Sequence, residues 1–308
     1  MSITNGKIIN GKGVSSKLLL KHKVTEEYIL QSAVNNQENA KLAVSLSNME
    51  ILYIDNIKKI KTLSLIGHQK SITDLKFSRE SPNLLYSSSL DGTILVWDTR
   101  SGKTPVSTFL DESDGDPKPI LCFDFNVDEK FICGGTELIR EDSFIIFWDI
   151  RFATNVGGYW NSHTEEITDV QFHSTSNSGL ASSSVDGLIN IFDLSQSTED
   201  DALVNTLNVE TSITSPTLTV MREDLSEKYK EDVDFLIDTF CVENSLYLAS
   251  GSNVGCVQLY CQKENGLKQI SALEDGHTDI VRTISPCQTG ILITGGEDGQ
   301  LCTWKQTF

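Results

Sequence analysis

The chain is short of positive charge. Its 308 residues carry 25 Lys and Arg against 43 Asp and Glu, a formal net charge of −18 at pH 7. Proteins that grip nucleic acid through its phosphates present a basic face, so this balance argues against nucleic acid and leans toward a basic partner. Long apolar runs are missing as well. Nowhere do 18 apolar residues follow one another, and the first residues, "MSITNGKIINGKG", hold no apolar signal core. Neither a spanning helix nor secretion is expected. The seven cysteines (Cys122, Cys133, Cys241, Cys256, Cys261, Cys287 and Cys302) contain no C-x-x-C pair. Most sit inside apolar strand-like runs, where free Cys behaves as a small hydrophobe. An odd, unpaired set reads as a reducing compartment, cytoplasm or nucleus.

Enzyme signatures are equally scarce. There is no phosphate loop, because "GGTE" lacks the length and the Lys. There is no G-x-S-x-G elbow. Of the five histidines, no two are spaced as a metal pair on one element. The acid pairs Asp200-Asp201 and Glu231-Asp232 lie in loop-like stretches and read as solvated. No catalytic residue, metal or cofactor is expected. A remote enzymatic alternative would rest on Asp74 in "ITDLKF" and Asp169 in "ITDVQF", each six residues after a histidine but without a metal ligand beside it.

What the chain does have is repetition. "SSSLDGTILVWDTR" at 87–100 returns as "SSSVDGLINIFDLS" at 182–195. In each, an aspartate precedes an aromatic by six residues: Asp91 and Trp97, then Asp186 and Phe192. Asp142 with Trp148 and Asp298 with Trp304 repeat the spacing, and Asn48 with Ile54 and Val254 with Tyr260 are weaker copies. The intervals between the second members are 43, 51, 44, 68 and 44 residues, near the roughly 40–45 of a four-stranded propeller blade. Apolar runs such as "LLYSSS" and "TILVW" flank each turn and do not alternate cleanly. Strands of that kind are covered on both faces, and neighbouring copies of the same sheet are the natural cover.

After Trp304 only "KQTF" remains, so the last blade lacks an outer strand, and Ser16–Leu20 is expected to supply it. The interval of 68 exceeds one blade, and its content, residues 208–233, is irregular. "PTLTVM" at 216–221 reads as a spare outer strand. The expectation is an all-β propeller of six recognisable four-stranded blades in one domain, residues 1–308. The alternative is a seven-blade ring with one blade incomplete.

These residues resemble the WD-repeat family. Gly67-His68, Gly276-His277, Trp97-Asp98 and Trp148-Asp149 are its dipeptides at its spacing, over most of the chain. The resemblance implies a non-catalytic platform for protein assembly. It also implies a buried tetrad in which Asp orients His, His bonds Ser or Thr, and Trp N–H completes the chain. Carried over, that gives His68, Ser89, Asp91 and Trp97, and again His163, Ser184, Asp186 and Phe192, one bond short because Phe192 has no N–H. In the last blade Gly296 stands where the Ser would be, leaving His277, Asp298 and Trp304. The first keeps His22, with Asn48 and Ile54.

Three segments exceed a minimal blade: "DESDGDPK" at 111–118, "TELIREDS" at 136–143, and 208–233. All are acid-rich and are expected at one face, the top, where long loops on a rigid scaffold concentrate binding residues. Asp111, Asp114, Asp116, Glu137, Arg140 and Glu141 are the candidates there for a basic protein segment. On the opposite face, "WDTR" and "WDIR" resemble the adaptor-docking box of cullin–RING ubiquitin-ligase substrate receptors. Arg100 and Arg151 would then be exposed contacts able to fork onto carboxylates.

Overall fold

Each sheet has four strands, and in all but the last they follow one another along the chain, because tight turns and short loops reverse it every few residues. The computed structural model describes residues 16–35, 40–57, 60–111, 113, 115, 117–209, 234–242, 245–263, 266–287 and 290–306. Among them are 24 strands and one short helix. The fold is an all-β propeller with six four-stranded blades. Of the irregular segment 208–233, Asn208 ends the last strand of blade 4, and residues 210–233, Pro216–Met221 among them, lie outside the described residues.

The last blade is closed by the chain's beginning, as expected. Strand β1 (Lys17–Lys23) is the outer strand of blade 6. It begins one residue later than Ser16 and runs three residues beyond Leu20. Blade 1 holds β2 (Ile29–Asn35), β3 (Lys41–Leu46), β4 (Ile51–Ile54) and β5 (Thr62–Leu65). Blade 2 holds β6 (Ile72–Phe77), β7 (Leu84–Ser89), β8 (Thr93–Asp98) and β9 (Ser107–Leu110). Blade 3 holds β10 (Ile120–Phe125), β11 (Phe131–Thr136), β12 (Ile145–Asp149) and β13 (Thr154–Tyr159). Blade 4 holds β14 (Ile167–Phe172), β15 (Gly179–Ser184), β16 (Leu188–Asp193) and, after helix α1 (Glu199–Ala202), β17 (Leu203–Asn208). Blade 5 holds β18 (Phe235–Val242), β19 (Ser245–Gly251), β20 (Val257–Lys263) and β21 (Gly266–Leu273). Blade 6 holds β22 (Val281–Cys287), β23 (Ile291–Gly296) and β24 (Gln300–Lys305).

The chain divides into two compact units. One comprises Met1–Asn48, Leu52–Thr62 and Val220–Phe308 and is built on blades 1, 5 and 6; the other comprises Met49–Ile51 and Leu63–Thr219 and is built on blades 2, 3 and 4. Within each, blades stack on one another through apolar side chains. Tyr86, Ile94 and Phe109 of blade 2 pack against Ile120, Phe123 and Phe125 of blade 3. Cys122 and Ile145 of blade 3 pack against Ile167, Val170 and Phe192 of blade 4. In the other unit Leu259 and Leu273 of blade 5 meet Val281 and Ile284 of blade 6, and Ile29 and Leu42 of blade 1 meet Ile293 of blade 6. Each such side chain removed from water contributes about 1.5–3 kcal/mol. This is why the second and third strands are buried on both faces instead of alternating: in β7 every residue after Leu84 is buried, and in β8 Ile94, Leu95, Val96 and Trp97 all are.

Candidate functional site

The tight turns set the geometry. In blade 2 the Gly92 N–H donates to the Ser89 carbonyl at 3.1 Å, and Gly92 has φ +86°. Gly187 repeats this in blade 4, with its N–H on Ser184 O at 3.2 Å and φ +83°. Asp91 and Asp186 are thereby aimed back into the blade, toward the loop that carries the histidine. The glycine before that histidine has a separate reason: a Cβ on Gly67 would lie 2.8 Å from Trp97 Cη2, and one on Gly276 2.3 Å from Trp304 Cζ2. The indole ring occupies the space a side chain would need.

In blade 2, His68 Nδ1 lies 2.9 Å from Asp91 Oδ2 and Nε2 lies 2.7 Å from Ser87 Oγ, which accepts from Trp97 Nε1 at 2.8 Å. The serine is Ser87, not Ser89. Both stand on one face of β7, because side chains two apart do. The register decides between them: Ser87 pairs with Leu95 inside the sheet, whereas Ser89 lies past the last β7–β8 pair, Ser88 with Ile94. Ser89 instead shapes the turn, its hydroxyl accepting from the Asp91 N–H and donating to Lys70 O, both at 3.1 Å.

Blade 4 makes the same correction. His163 Nδ1 is 3.0 Å from Asp186 Oδ2 and Nε2 is 2.7 Å from Ser182 Oγ; Ser184 takes the turn role. Phe192 offers no donor. Asn190, buried beside it, reaches 3.4 Å from His163 Nε2 and donates to Ser162 O at 2.6 Å. In blade 6 the network is complete, because Thr294 and not position 296 holds it. His277 Nε2 is 2.8 Å from Thr294 Oγ1, which accepts from Trp304 Nε1 at 2.9 Å, and His277 Nδ1 is 3.0 Å from Asp298 Oδ1. His22 is not at this position. It lies exposed on β1, opposite Leu301.

The direction of these chains follows from their ends. Trp N–H can only donate and Asp can only accept. The hydroxyl therefore donates to Nε2 and Nδ1–H donates to the carboxylate, which requires a neutral imidazole. Burial by itself pushes Asp91 and Asp298 up. Bonds from His68, Thr93 and the Gln69 N–H nevertheless hold Asp91 well below the usual carboxylate range. Those from His277 and the Thr278 N–H bring Asp298 to about 2. Burial lowers His163, against the pull of Asp186.

Blade 3 has no histidine. Its Trp148 Nε1 donates to Leu110 O at 3.0 Å. Next to Leu110, Asp111 is buried at 8% exposure and pairs with Lys118, buried at 5%, at 2.5 Å. Asp111 also accepts from Ser113 and from Asn155 Nδ2, the latter at 3.0 Å. Asp111 is thus an internal strut and no surface contact. Asp114 and Asp116 lie outside the described residues. The neighbouring 136–143 loop sits on the same side, Glu137 N–H donating to Pro119 O at 3.0 Å. Its tip, Arg140 and Glu141, has φ +54° and +79°, between Ile139 and Asp142, which exchange backbone bonds. This is a mirror-image two-residue turn built without glycine, and both side chains project into solvent.

Arg100 and Arg151 do stand exposed just past the third strands of consecutive blades. Each fork already closes on its own blade: Arg100 on Asp98 at 2.9 and 2.7 Å, Arg151 on Asp149 at 3.0 and 2.5 Å. Arg151 also lies 5.4 Å from the centre of the exposed Phe152 ring. Asp74 and Asp169, singled out in the sequence, belong to a cluster on the first strands of blades 2 to 4 whose other members, Lys76 and Asp124, the sequence did not suggest. Lys76 Nζ is 3.3 Å from Asp124 and 3.6 Å from Asp74. Asp169 faces the same charges, and burial, opposed by Lys76, pushes it up to about 7.

No helix among the described residues is long and apolar enough to cross a membrane. The family model described as "WD domain, G-beta repeat" matches residues 58–98, 156–193 and 267–305, windows that contain the histidine networks of blades 2, 4 and 6. The chain is similar to the WD repeat-containing protein 89 homolog of Dictyostelium discoideum, with 28% identity over 85% of this chain and 79% of that protein. It is similar also to the WD repeat-containing protein GTS1 of Arabidopsis thaliana, with 28% identity over 86% and 78%.

Proposed function

We propose, from the premise that this chain is a WD-repeat β-propeller, that it works as a non-catalytic scaffold for protein–protein interaction. The observation that carries this reading is the use made of its histidines. His68, His163 and His277 each have both ring nitrogens bound inside their own blade, so none is at hand as a general base. The side chains that are presented belong to loops: Glu137, Arg140 and Glu141 beside Asp142, an acidic tip on a rigid sheet. A basic protein segment is the partner that fits it.

Deleting 111–118 would not test this, since it removes the buried Lys118–Asp111 pair. Reversing Glu137 and Glu141 to Lys leaves that pair intact. Affinity purification with mass spectrometry should then lose a defined set of proteins, at least one of which binds the purified wild-type chain and not the variant. An unchanged set with unchanged affinities would overturn the reading.

A second reading, a cullin–RING substrate receptor, is favoured by one observation: Arg100 and Arg151 occupy matching exposed positions in consecutive blades. Each would have to exchange its own aspartate for a carboxylate of the adaptor. Loss of adaptor co-purification on replacing both arginines by Ala supports it, and retention sinks it.

A further inference from the structure

Three of the four tryptophans are interior: Trp97, Trp148 and Trp304 are 1%, 0% and 3% exposed. Trp160 is 54% exposed, yet its backbone is fixed. It follows directly on β13, and the Glu199 carboxylate at the start of α1 accepts from the Trp160 N–H at 3.0 Å, the Asn161 N–H at 2.9 Å and the Ser162 hydroxyl. An aromatic ring held in place in solvent needs little further ordering to bind, and indoles are prominent among the residues that anchor interfaces. Its surroundings carry one sign. No Lys or Arg occurs between Arg151 and Arg222, whereas Glu165, Glu166, Asp193, Glu199, Asp200 and Asp201 fall in that stretch. Glu165, Asp200 and Asp201 are exposed. Burial, with Glu199 and Asp193 nearby, pushes the adjoining Tyr159 hydroxyl up. The 160–166 connection is bonded also to the loop of Glu137 and Glu141, since the Ser143 hydroxyl donates to His163 O at 3.2 Å. Tyr159 itself stands opposite Ile145, the first residue of β12 after that loop.

We propose that Trp160 is an arginine-stacking anchor for a basic partner segment: one guanidinium lies on the exposed indole, and further Lys or Arg of the segment face the acids around it. The inference rests on the scaffold reading and names the group its basic partner must carry. A cation over an aromatic face is drawn to the ring quadrupole, and indole is the best of the side-chain rings. The acids by themselves would hold lysine and arginine alike. The indole separates them, because a guanidinium is planar, stacks on aromatic faces and gives up its water more readily than an ammonium. A purely apolar segment would bring the acids out of water without pairing them, which is unfavourable. A net charge of −18 on each chain disfavours a second copy as the occupant.

The test titrates fluorescein-labelled peptides of glycine and serine onto the full chain. They differ only in carrying arginines, lysines, the neutral arginine isostere citrulline, or leucines. The arginine peptide should bind roughly tenfold more tightly than the citrulline one and about threefold more tightly than the lysine one. This comparison uses the wild-type chain and does not depend on any variant folding. Trp160→Ala, with the melting curve kept, should weaken the arginine peptide about fivefold and erase its advantage over lysine. Trp160→Phe should keep part of that advantage. The emission lost in Trp160→Phe reports on Trp160 alone: caesium should quench it more than iodide does, and the arginine peptide should protect it. Glu165→Lys with Asp200→Lys, both exposed, should shrink the caesium preference and weaken the arginine peptide. Equal binding of arginine and lysine peptides, tighter binding of the leucine peptide, no binding, or an arginine advantage that survives in Trp160→Ala overturns the proposal. So does protection from caesium that grows with the concentration of the chain alone, since a second copy would then cover the indole. The Glu137 and Glu141 reversal is run in parallel: partners lost there but unmoved by Trp160→Ala sink the anchor and leave the scaffold reading standing.

Discussion

Blades 2 and 3 belong to one unit and carry the same Asp-to-Trp spacing, yet their indoles end in different places. Trp97 feeds a serine, a histidine and an aspartate in series, all within blade 2. Trp148 meets no histidine and donates to the Leu110 carbonyl, and the loop that follows Leu110 supplies a buried Lys118–Asp111 pair. Blade 4 lies between the two: it keeps the histidine and aspartate, loses the indole, and brings Asn190 to the vacated side of the ring. The blade needs its buried donors and acceptors closed, whichever groups close them. In blade 3, where the histidine is missing, the loop after Leu110 takes over. With the longer loop between β11 and β12 it accounts for the interval of 51 residues between Trp97 and Trp148, and the buried pair makes 111–118 a structural element.

The largest expected effect sharpens this contrast. Lys118→Met strands the Asp111 charge in a buried site and should destabilise by about 3–5 kcal/mol, the usual result of removing one partner of a buried pair. Exchanging both for apolar residues should recover much of the loss in thermal melts. Next comes Asp91→Ala, expected at about 1–3 kcal/mol because Nδ1–H of His68 loses its acceptor. A melting curve matching wild type would break the comparison. Trp97→Phe, which turns blade 2 into a likeness of blade 4, should cost about 1 kcal/mol. With Phe at 97, Ser87→Ala should add less than it does in wild type, a coupling that a double-mutant cycle reads directly.

Acid should act on blades 2 and 6. Asp298, at about 2 when folded and 3.8 otherwise, contributes stability that is complete above the unfolded value and is lost as pH falls through the folded one. Asp91 acts in the same sense. Denaturant midpoints should therefore drop below about pH 4, less steeply in Asp298→Asn. Smallest and opposite in sign is Asp169. Its folded value of about 7 lies above 3.8, so the native state holds the extra proton and stability declines as pH rises from about 4 to 7. Asp169→Asn should flatten that slope and be the more stable form above pH 7.

The blade pattern was legible because a period of about 44 residues, an Asp-Gly turn and an aromatic six residues past the aspartate are local features of the chain. His68, Asp91 and Trp97 could be named from spacing. The serine could not, since Ser87 and Ser89 differ by one full strand period and only pairing with β8 tells inside from turn. For the same reason the intact network of blade 6 was hidden, with Thr294 overlooked beside Gly296. His22 shows the converse: a histidine close to the expected distance, carried instead on the strand that closes blade 6. Asp111 looked like a surface acid because nothing in "DESDGDPK" tells that its lysine folds back onto it. Asp74 and Asp169 stood out in the matching "ITDLKF" and "ITDVQF", but their meeting with Lys76 and Asp124 joins residues nearly a hundred positions apart and could not be read from any one repeat.

By itself the sequence determined that this is an acidic chain of repeated four-stranded sheets, since turns and apolar runs act over a few residues at a time. Tertiary structure alone decided which hydroxyl meets each histidine and which charges are buried. Those outcomes depend on register and on stacking between blades, and both join residues that lie far apart along the chain.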